Sequence, residues 1–350
     1  MTLSMFILSL FQHGFKVRWT TAYFVLIGKK TSSVLTYASC YQLLPYFHLF
    51  PKLQKHVFYQ ELEQLEKEHY IVIDGDWVIL TNEGKRQLKH VDFSSVRFLN
   101  RFYDYKEKER IFQSLLLMMQ MMSEYSYHNR HYLPVTTNLT IQAQMKQKWK
   151  QLQGYPFTEV QPVFLEEIQR LLLSLSLKER YLLSAQFTGH EVIAKTNEQL
   201  ALELSHTVFE VELWLESIKS YLCQLSQTDF PLLYFILQPH YNQQNALYRA
   251  VALGVSQHES IAQMSQRLHK KEGTILDYVV EVALYTAHFP YDNYLQGAEA
   301  WLETYYQQHS NVGSWVFKEI KQQQPQLPFY QVRLFQIKKG QEQWQHWKNI

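Results

Sequence analysis

The sequence predicts a mainly α-helical protein with multiple helix-turn-helix units and a small β-hairpin wing in its N-terminal part. Apolar residues recur at three- and four-residue steps along much of the chain, as on the buried face of a helix. The 350 residues include only 11 Gly and 10 Pro, which favours helices over many tight turns. One β-prone run is interrupted by Asp74-Gly75, a strong hairpin signal.

The first predicted domain, residues 1–92, contains its elements in winged-helix order. A helix is predicted within residues 55–70, where Phe58, Leu62 and Leu65 share one face. The hairpin YIVIDGDWVIL follows, and a short helix after it includes Leu88. Because the hairpin tip is acidic, it is a poor phosphate contact, and protein docking is an alternative role for this wing.

The central predicted domain, residues 93–235, begins with a charged and then Met-rich helical stretch. The run LLLMMQMM at 115–122 indicates a buried helix. Residues 134–158 are interpreted as a linker or loosely packed loop. Within it, Lys146, Lys148 and Lys150 around Trp149 make a small basic-aromatic patch, a weak signal for nucleic acid.

A helix-turn-helix candidate occupies residues 160–222, where the pattern predicts four helices. Thr196 and Gln199 have the spacing of a capping box. The last of these helices is expected to expose an acidic face formed by Glu210, Glu212 and Glu216. Such a face would disfavour DNA.

The third predicted domain, residues 236–350, contains the most informative stretch, a second helix-turn-helix. Ser260 or His258 is expected to start its first helix. Ala262 is expected to lie where the two helices cross closely. A polar break at 269–273 then leads into the presumed recognition helix. That helix is expected to bury Ile275, Leu276, Val279, Val280, Val282 and Ala283.

Charge argues against tight DNA binding by this unit. Residues 240–295 contain four Lys and Arg against five Asp and Glu, and Asp277 and Glu281 are expected one turn apart on the exposed face of the presumed recognition helix. Backbone contacts are nevertheless expected from the turn before that helix and from the C-terminal tail. The candidate nucleic-acid-binding residues are Lys270, Lys271, Thr274, Tyr278, Lys338 and Lys339. The tail around Lys338 also contains Trp344, Trp347 and Lys348.

Two stretches together resemble a known family. The stretch LYRAVALGVSQHESIAQMSQRLHKKEGTILDYVVEVAL is similar to the helicase helix-turn-helix domain, and FKEIKQQQPQLPFYQVRLFQIKK resembles the closing segment of that domain. The matching positions are Gly254, Ile261, Ala262, Arg267, Leu268, Thr274 and Ile275. The N-terminal stretch from Gly28 to Val72 resembles the amino-terminal part of YpbB-like proteins of Gram-positive bacteria. The resemblance implies a non-enzymatic accessory protein of a RecQ-like DNA helicase, in DNA repair or replication.

Other function classes find less support in the residues. The chain contains no Walker-type or dinucleotide glycine motif, and no nucleophile elbow, so we expect neither an enzyme nor a cofactor. His128 and His131 lack a third ligand at a metal-like interval. Two alternatives remain: a stand-alone helix-turn-helix transcription regulator, or a purely structural protein-protein adaptor.

The apolar run at the N-terminus is too short to span a bilayer, and two distant cysteines suit a reducing compartment. We therefore expect a cytoplasmic protein.

Overall fold

The computed structural model describes residues 1–12, 16–100, 105–238, 246–286 and 288–348, without the side chains of 105 and 343–348. It confirms the predicted fold class, since the described chain is mainly helical with one small sheet near the N-terminus. Short 3-10 turns lie at Leu44–Tyr46, Ser94–Val96 and Val312–Ser314. None of the described helices is both long enough and apolar enough to cross a membrane.

The described residues of the N-terminal segment form five helices and the sheet. The helices are α1 (Leu3–Ser9), α2 (Trp19–Leu26), α3 (Ser32–Cys40), α4 (Lys55–Lys67) and α5 (Asn82–Leu88). The strands are β1 (Val17–Arg18), β2 (Ile71–Asp74) and β3 (Trp77–Leu80). As predicted, α4 buries Phe58, Leu62 and Leu65.

The predicted hairpin is confirmed, and a short strand is added to it. In the antiparallel register, Asp74 faces Trp77, and Gly75 takes the positive φ (59°) that the tight turn requires. The sequence pattern did not indicate β1, which pairs antiparallel with β3 and gives the order β1-β3-β2. A two-residue strand has too few side chains to show alternation.

Seven helices lie in the described part of the central segment. They are α6 (Tyr105–Ser126), α7 (Leu139–Leu152), α8 (Phe157–Leu173), α9 (Leu177–Ser184), α10 (Asn197–Leu204), α11 (Val208–Leu222) and α12 (Pro231–Leu237). The Met-rich stretch of α6 is buried in the core, as predicted. The prediction of a linker or loop at 134–158 is wrong for most of its length. Asn138 caps α7, which buries Ile141 and Met145 on one face.

The predicted acidic face of α11 is also wrong in part. Glu212 is exposed, but Glu216 is buried. Its carboxylate receives Lys108 Nζ at 2.8 Å and Lys219 Nζ at 2.9 Å. Nearly every residue of α11 from Val211 onward is buried. A helix buried on almost all sides cannot enter a DNA groove.

In the C-terminal segment, the residues that the structure describes form seven further helices. They are α13 (Ala246–Ser256), α14 (Ile261–Leu268), α15 (Glu272–Tyr285), α16 (Tyr291–Leu295), α17 (Glu299–Gln308), α18 (Phe317–Gln323) and α19 (Phe329–Lys348). The predicted buried face of α15 is confirmed at five of six positions, because only Leu276 is half-exposed.

The described chain forms two compact units. The first comprises residues 1–3 and 92–243, and the second comprises 4–91 and 244–350. The first and third predicted domains thus share one unit. Within the second unit, the Tyr37 hydroxyl donates to the Trp315 carbonyl at 3.0 Å, and the Tyr41 hydroxyl donates to the Gly313 carbonyl at 2.6 Å. Cys40 Sγ lies 3.8 Å from the Gln336 carbonyl.

Candidate nucleic-acid interface

The three helices α13, α14 and α15 form the expected helix-turn-helix module. Ser260 starts α14 with a capping box, its hydroxyl accepting the Gln263 N–H while the Gln263 side chain accepts the Ser260 N–H. His269 ends α14 in the left-handed conformation, at φ 50°. That residue turns the chain into α15, so α15 occupies the position of a recognition helix.

The expectation for Ala262 is wrong, because this side chain is exposed. The close approach between α13 and α14 lies at Gly254. A Cβ at Gly254 would stand 2.7 Å from Met264 Sδ and 2.8 Å from Glu259 Oε2. Periodicity marked the apolar stripe of α14 but not its centre, which is Met264.

The N-terminus of α15 holds the two predicted lysines. Lys270 and Lys271 are exposed, and neither forms an ion pair with any residue that the structure describes. Lys271 stands at the N-cap position but supplies no side-chain cap. Among the described residues, none accepts a hydrogen bond from the N–H groups of Glu272 and Gly273. Uncapped N–H groups beside two cations form a suitable environment for an anion.

The acidic residues of α15 differ from one another in their environment. Glu281 is mostly buried and pairs with Lys30 at 2.6 Å, so it does not add a free negative charge to the exposed face. Asp277 stays exposed, as predicted. Of the other two predicted contacts, Thr274 is exposed and Tyr278 is half-buried. The face that α15 offers to a ligand is therefore less acidic than the sequence suggests.

A groove of about 670 Å³ lies beside the start of α15. Lys271, Gly273 and Thr274 line one side of it, and Ser32 of α3 lines another. Its wall also includes Leu276, Val280 and three consecutive residues, Pro328 to Tyr330. Burial, with Glu272 nearby, raises the pKa of Tyr330, so its phenol stays neutral. This groove joins a cationic turn to an apolar surface.

Arg333 is the residue of this groove that sequence reasoning missed. It is 5% exposed, and its guanidinium lies between the rings of Tyr37 (4.6 Å) and Phe329 (4.7 Å). No pattern in the sequence marks it, because Tyr37 and Ser33 lie almost 300 positions away in the chain. Lys30, the partner of Glu281, was missed for the same reason.

The two predicted lysines of α19 are already paired within the chain. Lys338 contacts Glu299 at 2.6 Å, and Lys339 contacts Glu303 at 2.7 Å and Glu342 at 3.0 Å. A phosphate would have to displace these carboxylates. The side chains of Trp344, Trp347 and Lys348 lie outside the described residues.

The other weak candidates are separate from this module. At the hairpin tip, Asp74 pairs with Lys16 at 3.1 Å on the exposed surface. In the patch on α7, Lys148 lies 4.0 Å from the centre of the Phe235 ring, and burial lowers its pKa. Lys146 and Lys150 are exposed. No group of three potential metal ligands occurs within the described part of the chain.

No family model, curated protein or solved structure matches the chain. The candidate interface is therefore defined by its geometry alone.

Proposed function

We propose that this protein is a non-enzymatic accessory factor that binds DNA weakly through the start of α15 and associates with a RecQ-like helicase. The observation that supports DNA contact is the uncapped N-terminus of α15 beside Lys270 and Lys271, neither of which is ion-paired within the described chain. A phosphate placed there would receive backbone N–H groups, the positive end of the helix dipole and two ammonium groups.

Binding is expected to be weak and without sequence preference. Each neutralised phosphate contributes a slope of about 0.9 in the logarithm of affinity against the logarithm of salt. Two lysines therefore predict a slope near 2 rather than the steep dependence of a basic regulator. Asp277 on the exposed face of α15 disfavours insertion into the major groove. Backbone contact fits this arrangement better than base reading does.

The helicase association rests on the family resemblance, and the first unit offers a surface with suitable chemistry. Three highly exposed aliphatic side chains lie on or between α9 and α10: Leu177 (80%), Ile193 (88%) and Leu202 (83%). In the same stretch of chain, the Tyr181 hydroxyl donates to Glu203, which also pairs with Lys195 at 2.7 Å. Exposed aliphatics around a polar cluster are typical of protein-protein contact surfaces.

The test measures duplex DNA binding by fluorescence anisotropy at low salt. The variant Lys270→Glu/Lys271→Glu is expected to lose binding, because it replaces attraction with repulsion. The matched control Lys146→Glu/Lys150→Glu changes the net charge equally on exposed lysines of the other unit. Equal loss in both variants would show only a general charge effect, and unchanged binding by the first variant would contradict the proposal.

The same two variants test the partner. Co-purification with the RecQ-like helicase of the same cell is expected to survive Lys270→Glu/Lys271→Glu, since the proposed helicase surface lies in the first unit. Loss of the helicase from this variant would make the helix-turn-helix module a protein-docking surface. Nanomolar, sequence-selective DNA binding by the protein alone would instead favour a transcription regulator.

A further inference from the structure

The groove beside α15 brings together the N-termini of two helices. Ser32 begins α3 and lines the groove, as do Gly273 and Thr274 in the first turn of α15. The Thr31 hydroxyl accepts only the Val34 N–H of α3. Within the described chain, nothing accepts from the N–H groups of Ser32 and Ser33, or from those of Glu272 and Gly273. Two positive helix ends thus face one space.

Arg333 adds a buried positive charge to this space without a carboxylate to balance it. Its Nη1 donates to Gln336 Oε1 at 2.7 Å, and its Nη2 lies 3.5 Å from Ser33 Oγ. Its Nε is buried without any hydrogen-bond partner in the described structure. No described carboxylate forms an ion pair with it, although Asp277 also lines the groove. A buried cation without a counter-ion is costly, so an anion from outside would stabilise it.

The rest of the groove suits an aromatic group. Leu276, Val280 and Pro328 form an apolar wall, and the Phe329 ring is 38% exposed. The volume of about 670 Å³ falls within the range of small-molecule sites. A ligand that fits has an anionic end for Arg333, Lys271 and the helix N-termini, and a flat ring for Phe329.

We propose that this groove binds the phosphate of a nucleotide, with the base against the apolar wall. Guanidinium groups and helix N-termini both favour phosphate oxygens. The phosphate could come from a free nucleotide or from the 5′ end of a DNA strand. The strand-end form rests on the proposed function of DNA contact, whereas the free-nucleotide form stands independently of it.

The experiment uses two comparisons on the full chain. A 5′-phosphorylated single-stranded oligonucleotide is compared with the same strand carrying a 5′-hydroxyl, by anisotropy. Binding of dAMP is compared with that of neutral deoxyadenosine, by calorimetry. The expected result is a preference for phosphate of about fivefold, which corresponds to about 1 kcal/mol, in one or both comparisons. A preference for the 5′-phosphorylated strand identifies DNA strand ends as ligands of the groove. A preference for dAMP without a preference for the phosphorylated strand identifies free nucleotides as the ligands.

A matched pair of variants locates the effect. Ser32→Asp places a carboxylate at the first position of α3, where it stabilises the helix and repels a phosphate. Asn82→Asp makes the same change at the first position of α5, which does not line the groove. Ser32→Asp is expected to abolish the phosphate preference, and Asn82→Asp to keep it. This pair avoids replacing Arg333, whose burial makes unfolding a risk.

Two outcomes would overturn the proposal: no phosphate preference in either comparison, or a preference that survives Ser32→Asp. Failure of the proposed function is distinguishable from this. If the wild-type protein does not bind a 5′-hydroxyl duplex but still binds dAMP in preference to deoxyadenosine, the DNA proposal fails and the groove proposal stands.

Discussion

Glu216 shows how one buried side chain can decide the role of an element. Burial opposes its ionisation, but Lys108 and Lys219 outweigh that effect and hold the pKa of the Glu216 carboxyl below its ordinary value. Burial likewise disfavours charge on Lys219, but Glu216 and Glu109 hold its pKa above the ordinary value. The group is thus a charged network inside the first unit, not a surface face.

Replacing Glu216 by Gln is expected to destabilise the protein by about 3–5 kcal/mol, because Lys108 would remain buried without its carboxylate. Urea unfolding followed by circular dichroism measures this change. The control is Glu166→Gln, an exposed residue whose contact with Arg170 is 3.9 Å long. It should shift the free energy of unfolding by less than about 1 kcal/mol.

The pH dependence of unfolding checks the same network. Because the folded pKa of Glu216 is depressed, its contribution is fully present above the unfolded value, about 4.5, and is lost as pH falls through the folded value. Between neutral pH and pH 3, the wild type should therefore lose more stability than Glu216→Gln. Equal losses in both proteins would mean that Glu216 does not stabilise the fold through its charge.

Local hydrogen-bond signals at single residues were readable from the sequence, whereas partners far along the chain were not. The capping boxes at Thr196 and Ser260 depend on a side chain three residues away, so spacing alone indicates them. Only the capping box at Thr196 was predicted as such. Arg333 and Glu216 depend on residues from other elements, whose proximity no local pattern encodes.

At the scale of elements, helical periodicity gave the buried face of α15 but misjudged α7 and the position of Ala262 on α14. The region of α7 was interpreted as a loop because Pro134 and Pro156 flank a polar, Lys-rich run. Both prolines lie outside the helix, where they do not break it. The small size of Ala262 predicted a place at the crossing of the two helices of the helix-turn-helix, but its side chain is exposed. The close approach lies instead between α13 and α14, at Gly254.

Gly254→Val is expected to destabilise the protein by about 1 kcal/mol, because the added atoms displace the ends of the Met264, Glu259 and Arg267 side chains. The added atoms would meet Met264 Sδ and the Glu259–Arg267 ion pair. Arg267 Nη2 lies 2.9 Å from the position that a Cβ on residue 254 would take. Thermal unfolding of the full chain is the measurement.

Two controls check the assignment of that crossing. The Cβ added by Gly273→Ala would have no neighbouring atom of the described structure within 4 Å, so this change should stabilise the protein by about 0.4–1 kcal/mol. Ala262→Asp, an exposed change in the first turn of α14, should shift stability by less than about 0.5 kcal/mol. A large loss for Ala262→Asp would show that α14 has a different rotation about its axis.

At the scale of the whole molecule, the second unit is assembled from two chain segments. Segments 4–91 and 244–350 share buried hydrogen bonds through Tyr41 and Cys40, and Arg333 approaches Ser33. Sequence reading follows the chain in order, so it divided this unit into a first and a third domain. The pairing of distant segments depends on shape and polar matching that one sequence does not reveal.

The chain contains one buried cysteine in each unit, so thiol labelling can test this assembly. Burial raises the pKa of Cys40 and of Cys223 to about 12, so both thiols should react slowly in the intact protein. Truncation after residue 243 removes Gln336, whose carbonyl contacts Cys40 Sγ, and Gly340. A Cβ placed on Gly340 would stand only 3.5 Å from the Cys40 Cα, so this glycine packs against Cys40. Cys40 is then expected to become reactive, while Cys223 stays protected.

Mass spectrometry of labelled peptides distinguishes the two thiols in a single sample. The truncated chain is its own control, since Cys223 lies in a unit that keeps all of its residues. If Cys40 stays protected, residues 4–91 fold alone, and the predicted first domain would be correct as an independent unit. If Cys223 also becomes reactive, the first unit depends on the second for its stability, and the two cannot be treated as separate folding units.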